Sequence, residues 1–377
     1  MHQMGATAMR GLRNVLCMAA ALLAAEASKA GVGSEIVLLD KATYPNYTIV
    51  DDTIHLVCLR GGEVVYARFD LDGKGIGEPE RIPGAVSRCE YEQSHAIAYR
   101  DGKVVVAYGA GGGNPGKLFV SIRTSDGWSD PKVVATAPDK SGRWSQVINP
   151  EVVIRGDGGV HVVADRFGKP DRWMHYLLDA NGNVRKRHQL GTTAERTPCR
   201  LFIDERDRLR VGYLVNFGKI YLRQYAEGAW SDRFHVGGRR FTNFDMAVRG
   251  DLSYFLHSQE QANQARIDIV KGTEKVRSLS FNAEKCWVHS IAVNQATGSI
   301  HCSFYNRHKF TSGTQALKVI SLYKGREDWS RPTTITEANG AKSKARMFSA
   351  GQSTFIIYHD RRGKVIMRKI SEESAAK

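Results

Sequence analysis

Residues 92–109 read EQSHAIAYRDGKVVVAYG, and after a glycine-rich gap residues 117–135 read KLFVSIRTSDGWSDPKVVA. Apolar runs are divided here by Asp101-Gly102, by Gly109 to Gly116 and by Ser125-Asp126-Gly127. Short apolar runs bounded by such turn residues are the pattern of successive antiparallel strands. The stretch therefore predicts one four-stranded sheet. Its last strand opens at Trp128-Ser129-Asp130-Pro131, and the same signature returns as Trp230-Ser231-Asp232 and as Trp329-Ser330-Arg331-Pro332. A sheet this small cannot bury both of its faces alone, so copies of it must stack.

Working outward, the turn signals divide the chain into seven such units. The first holds Tyr47 to Val50, Thr53 to Leu59 and Glu63 to Asp70, and closes at Pro79 to Gly84. The third begins near Gln146, the fourth at Thr197, the fifth at Phe244, the sixth at Trp287 and the seventh at Arg346. The fifth lacks the tryptophan, and the seventh supplies only three strands. Units of about 45 residues fall in the range of propeller blades. The expected fold is all-β: a seven-bladed propeller of four-stranded antiparallel blades over residues 31–377, with Glu35 to Asp40 lending the missing outer strand and fastening the ring. A pair of β-sandwiches is the alternative, and the nearly fixed period argues against it.

Composition places limits on function. Hydrophobic residues are 42% and charged residues 25%, which supports a folded core and excludes wholesale disorder. Arg10 and Arg13 precede the apolar run Val15 to Ala25, and Ser28-Lys29-Ala30 offers small residues for cleavage, so residues 1–30 are expected to be a signal peptide. That run is too short to span a bilayer, no later segment is long enough, and Leu16 disfavours lipid attachment at Cys17. Loss of the segment removes three cations and one anion and takes the formal charge from +15 to +13. In a secreted or periplasmic protein, such a field selects an anionic polysaccharide or an outer-membrane surface rather than nucleic acid, unless the charges serve only solubility. A monomer is expected. Cys58, Cys89, Cys199, Cys286 and Cys302 are odd in number and widely spread, which is not a disulfide scaffold. Cys286 and Cys302, with His289 and His308 near them, allow a structural zinc, although buried thiols are the plainer reading. No other metal and no cofactor is expected.

Three features carry a family resemblance. Glu92-Gln93-Ser94-His95 opens the second unit; Asn149-Pro150 opens the third, whose second strand ends in Asp165-Arg166-Phe167-Gly168; and Thr124-Ser125-Asp126-Gly127-Trp128 looks like an eroded Asp box. Together they resemble the BNR-repeat (sialidase-like Asp-box) propellers, and more narrowly the BNR-4 group that includes ulvan-lyase-like polysaccharide lyases and rhamnosidase-like relatives. The resemblance implies β-elimination on a uronic-acid-containing glycan. Removing the proton alpha to a uronate carboxylate builds negative charge there, which a cation must meet. Arg166 would be that cation, His95 would take the proton, and Tyr213 would donate to the departing oxygen or assist the base. Asn149, Asn216, His257, Tyr305, Arg307, His308 and Arg361 would bind substrate, since they fall where first strands begin or second strands end; Asp245, His289 and His359 share such positions.

The sequence departs from that group at Asn149, where a tyrosine is expected, and at Ala110-Gly111, where a second histidine would follow. These departures leave room for a glycosidase or for a propeller that only binds carbohydrate, and lyase is preferred to both. A sialidase could draw an arginine triad from Arg166, Arg307 and Arg361, but no Tyr/Glu nucleophile pair is discernible and Arg81-Ile82-Pro83 falls at a strand end. Each residue also has a plain structural reading. Tyr213 continues an apolar strand, Arg166 can pair with Asp165 or Asp171, and Trp128, Trp230 and Trp329 are expected to pack between sheets rather than stack on sugars.

Overall fold

The computed structural model describes residues 32–86, 95–110, 116–137, 146–167, 172–192, 199–215, 218–238, 242–259, 263–283, 286–306, 316–336 and 345–371. Its strands form seven antiparallel sheets, the blades of a seven-bladed propeller. The first, innermost strands are Ala42–Val50, His95–Arg100, Gln146–Ile154, Cys199–Ile203, Thr242–Arg249, Cys286–Val293 and Arg346–Ala350. Ring closure follows the sequence expectation: Ile36–Leu39 pairs antiparallel with Val365–Ile370, so the start of the described chain completes the last blade.

Stacking of the blades makes the core. Leu209–Val215 is buried at every position because both of its faces meet other blades, and its unbroken apolar run reads accordingly. Gly212 within it permits close approach: a Cβ there would stand 2.9 Å from Met246 Sδ and 2.9 Å from Phe255 of blade five.

The recurring Trp-Ser signature now has a mechanical meaning. Ser129, Ser231 and Ser330 each exchange a pair of hydrogen bonds with the third strand of their own blade, with Oγ accepting from Ile122, Gln224 and Ser321 N–H at 3.0 Å in each case. The preceding tryptophans reach back to the previous blade. Trp128 Nε1 donates to Glu80 at 2.9 Å, Trp230 Nε1 donates to His175 Nδ1 at 3.1 Å, and Trp329 packs 4.9 Å from the Phe281 ring. Gly127–Trp128 and Ala229–Trp230 form short extra strands, so the fourth strand of blade two opens at Lys132 rather than at Trp128.

Cys286 and Cys302 do not converge. Cys286 lies opposite Asn306 while Cys302 lies opposite Ile291, which separates the pair by roughly 13 Å of strand rise, beyond a shared disulfide or a single zinc ion. Cys58, Cys199 and Cys302 are buried and form no disulfide; Cys89 and His308 lie outside the described residues.

Candidate functional site

The first strands converge on a central channel, and a cavity of about 320 Å³ occupies it. Asn46, Glu151, Arg200, Asp245, Ser290 and Arg346, one from each blade except the second, line it together with Tyr47. They form a continuous belt. Asn46 Nδ2 donates to the His95 carbonyl at 2.8 Å, and its Oδ1 accepts from Arg346 Nη1 at 2.7 Å. Glu151 Oε1 accepts from both Arg346 Nη2 at 3.1 Å and Arg200 Nη1 at 3.0 Å. Arg200 Nε then donates to Asp245, whose other oxygen accepts the Ile291 N–H at 2.9 Å. Ser290 Oγ accepts the Met347 N–H at 3.0 Å.

Two guanidinium groups and two carboxylates thus share a site from which water is largely excluded. The Arg200 side chain is 5% exposed, Glu151 12% and Arg346 16%, so Arg346 is the more accessible of the two cations. Burying an ion costs several kcal/mol unless it is paired and hydrogen-bonded, which explains why the four charges cancel. Burial works against the Arg200 charge, but Asp245 and Glu151 more than restore it, and its pKa lies above the ordinary arginine value. Burial also pushes the Tyr47 phenol far up, with Arg346 and Arg200 drawing it back only in part, so Tyr47 keeps its proton.

Two bulges put the belt in place. Tyr44-Pro45 in blade one and Asn149-Pro150 in blade three interrupt the register between Thr43 and Asn46 and between Ile148 and Glu151. Tyr44 and Asn149 have positive φ values of 55° and 50°, a strained conformation for residues other than glycine. Each bulge delivers the following residue, Asn46 or Glu151, to the channel. The Tyr-Pro dipeptide expected at the head of blade three is therefore present in blade one.

Tyr44 is held by two histidines. His95 Nε2 lies 2.6 Å from the Tyr44 carbonyl, and because a carbonyl only accepts, Nε2 carries the proton. The Tyr44 N–H donates to His359 Nδ1 at 3.2 Å, and the two rings meet edge to face at 5.0 Å. Burial lowers the His95 pKa to about 4, despite the raising effect of its bond to Tyr44, and Arg346 lowers it further. At neutral pH His95 is neutral and 2% exposed.

The three residues expected to act together are each engaged with a different partner. Each contacts the preceding blade: His95 bonds to Tyr44 of blade one, Arg166 Nε donates to the Thr136 carbonyl of blade two at 3.2 Å, and Tyr213 Oη donates to the Leu190 carbonyl of blade three at 3.0 Å. Tyr213 is wholly buried among apolar side chains, which removes it from proton donation to a substrate. His95, closed off by Tyr44, is in no position to take a substrate proton in this structure. The described members of the substrate-binding set are also dispersed. Asn149 is the strained bulge residue, and its carbonyl accepts from Cys199 Sγ at 3.7 Å. His257 Nε2 lies 3.0 Å from Asp268 in a cluster of blade five with Arg266, Lys275 and Ser278. Burial alone would raise the Asp268 pKa, but hydrogen bonds from His257 and Ser278 hold it well below the carboxylate range. Tyr305 is buried, edge-on to His289 at 4.4 Å. Arg361 is exposed in a turn whose Asp360 accepts the Arg362 and Lys364 N–H groups. Asn216, Arg307 and His308, and also Asp171, lie outside the described residues.

Asn46, Glu151, Arg200 and Arg346 escaped the sequence reading. The available signals are the arginine beside the apolar run of Cys199–Ile203 and the polar residue that follows each X-Pro dipeptide, Asn46 after Tyr44-Pro45 and Glu151 after Asn149-Pro150. Among the described residues, no group of three His, Cys, Asp or Glu side chains has the geometry to hold a metal ion, and no helix is long and apolar enough to cross a membrane.

No family model and no curated protein matches the sequence. Among solved structures the chain is similar to a PL25 polysaccharide lyase, an ulvan lyase bound to -[GlcA(1-4)Rha3S]-, at 11% identity over 88% of this chain and 95% of that one, with a TM-score of 0.60. It is also similar to a Mycobacterium tuberculosis puromycin-hydrolyzing peptidase, at 11% identity over 89% of this chain and 55% of that one, with a TM-score of 0.55. A neuraminidase-like protein of A/little yellow-shouldered bat/Guatemala/060/2010 matches at 11% identity over 91% and 99% of the two chains, with a TM-score of 0.50. The class defined by fold and site is thus a seven-bladed propeller with an ionic belt at its axis. Its architecture resembles the ulvan lyase structures at low identity, and its fold is also similar to that of the peptidase and the neuraminidase-like protein.

Proposed function

We propose that this protein binds a uronic-acid-containing glycan in the axial channel, against the ionic belt, and cleaves it by β-elimination. The observation that carries the reading is Arg346, a partly exposed guanidinium fixed on the ring axis by Asn46 and Glu151. Elimination needs a fixed cation against the substrate carboxylate, where charge develops in the transition state. Arg346 takes the role first expected of Arg166. Tyr44, half-buried, with its backbone held by His95 and His359 and its ring edge-on to His359, takes the proton alpha to the carboxylate as the tyrosinate and passes it, as the phenol, to the departing glycosidic oxygen. The chemistry calls for no metal or cofactor.

The likeness to an ulvan lyase and the basic charge of the chain support a polyanionic glycan as substrate. Membership of the BNR-4 group and export directed by residues 1–30 belong to the same reading. A second reading, binding without cleavage, draws on the mutual pairing of the four belt charges.

The test is incubation of the purified chain with ulvan, glucuronan, gum arabic and pectic fragments while the ultraviolet absorbance of unsaturated uronate is followed. Absorbance should rise with at least one polymer and vanish in a folded Arg346→Gln variant. Binding without absorbance would select the second reading, and neither binding nor absorbance would overturn both.

A further inference from the structure

Several arginines near the blade seams are matched by carboxylates. Arg100 and Arg155 share Asp207, Arg208 and Arg210 share Asp204, and Arg200 and Arg346 share Glu151. The outer seam between blades two and three gathers four cations without such a partner. Lys132 and Arg187 are exposed there, Arg166 and Arg172 are half-buried, and among the described residues none of the four has a carboxylate within ion-pair distance.

The register places these cations on one surface. Arg166 lies opposite Arg172, and Tyr176 lies opposite Arg187, so the three arginines sit on the face of blade three whose Ala164 and Tyr176 pack against blade two. Arg166 Nε reaches the Thr136 carbonyl across the seam. Burial raises the Tyr176 pKa to about 12, and both Arg166 and Arg187 stand close enough to its phenol to oppose that rise. From the other side, Lys132 lies opposite Val120 of the same seam core, and its Cγ comes within 3.5 Å of where a Cβ on Gly182 of blade three would stand. Asp165, the partner expected for Arg166, alternates to the opposite face and is fully buried.

Arg187 is four residues along the strand from the Arg166-Arg172 pair, or roughly 13 Å at the rise of a strand. A single small anion cannot span that row. We propose that the seam of blades two and three is an extended binding track for a linear anionic polysaccharide, with Lys132, Arg187, Arg172 and Arg166 meeting acidic groups on successive sugars. The track rests on the proposed function only for the choice of a glycan as the polyanion. Guanidinium groups suit this task because they bind carboxylate and sulfate in bidentate fashion. The track lies on the flank of the ring, so it would hold the polymer while a different segment occupies the channel.

The experiment compares the full chain with a Lys132→Ser/Arg172→Ser/Arg187→Ser variant of matched melting temperature. Binding of glucuronan and of chondroitin sulfate is titrated at low and at physiological salt, and cleavage of a short uronate oligomer is measured in parallel. The variant should bind both polymers roughly tenfold more weakly, with a flatter salt dependence, while oligomer cleavage is unchanged. Equal affinity and equal salt dependence in the two proteins would overturn the track and leave the channel reading intact. Weaker polymer binding by the variant, with no cleavage by either protein, would sustain the track and remove the lyase. Preference for phosphatidylglycerol vesicles over both polysaccharides would also overturn it, in favour of a membrane surface.

Discussion

Replacing Arg200 by Met tests whether the axial belt holds the ring together. The substitution is close in length, so the packing change is small and the electrostatic change dominates. It removes the Nη1 bond to Glu151 at 3.0 Å and the Nε bond to Asp245, and leaves Glu151 with Arg346 at 3.1 Å and Asp245 with the Ile291 N–H at 2.9 Å. Two carboxylates then share one guanidinium inside a site where Arg200 itself is 5% exposed. Orphaning a buried charge in this way costs about 3–5 kcal/mol, and at about 2 °C of melting temperature per kcal/mol a fall of roughly 6–10 °C follows. Thermal unfolding followed by circular dichroism reads it. In Arg200→Met/Asp245→Leu the leftover charges are again one guanidinium and one carboxylate, so the double variant should melt above the single one. A single variant within about 1 kcal/mol of wild type would refute the reasoning, because the belt charges would then be solvated rather than mutually dependent.

Burial lowers the pKa of His55, His95 and His161 to about 4 and that of His175 to about 2, whereas the unfolded chain titrates them near 6.5. Below 6.5 the unfolded state binds protons that the folded state refuses, so stability is complete above that pH and is lost as the pH falls toward 4, by up to about 1.4 kcal/mol per histidine per pH unit. Melting temperatures between pH 8 and pH 4 check this, and a flat profile below pH 6.5 would contradict it. Tyr213→Phe should lower stability by about 1 kcal/mol through loss of the bond to Leu190 and leave glycan cleavage unchanged; abolished cleavage in a folded variant would restore Tyr213 to the reaction. Gly212→Ala forces a methyl to within 2.9 Å of Met246 and Phe255 and should cost about 1–3 kcal/mol in denaturant unfolding, with an unchanged midpoint as the contrary result.

Much of the architecture was legible because propellers are built from local contacts. The turn residues at Asp101-Gly102 and Ser125-Asp126-Gly127, the three Trp-Ser signatures and the three-strand last unit each follow from neighbours in sequence, as does the closing strand at Ile36–Leu39 once the ring is assumed. The site was not legible in the same way. Arg346 meets Glu151 across 195 residues of chain, and only closure of the ring brings them together. A charged residue in an apolar strand reads as a local anomaly until its partners on the axis are known. His95 and Tyr213 drew attention by residue type and strand position, but the same chemistry that suits catalysis also suits a buried hydrogen bond between blades.

Product analysis bears most directly on the claim that the axial arginine supports β-elimination. A uronate-containing polysaccharide digested by the chain is examined by nuclear magnetic resonance for its new non-reducing ends. The account predicts unsaturated uronate ends, formed by the wild type and by Tyr213→Phe and absent with folded Arg346→Gln. Saturated ends, an undegraded polymer, or unsaturated ends that persist in Arg346→Gln would contradict it.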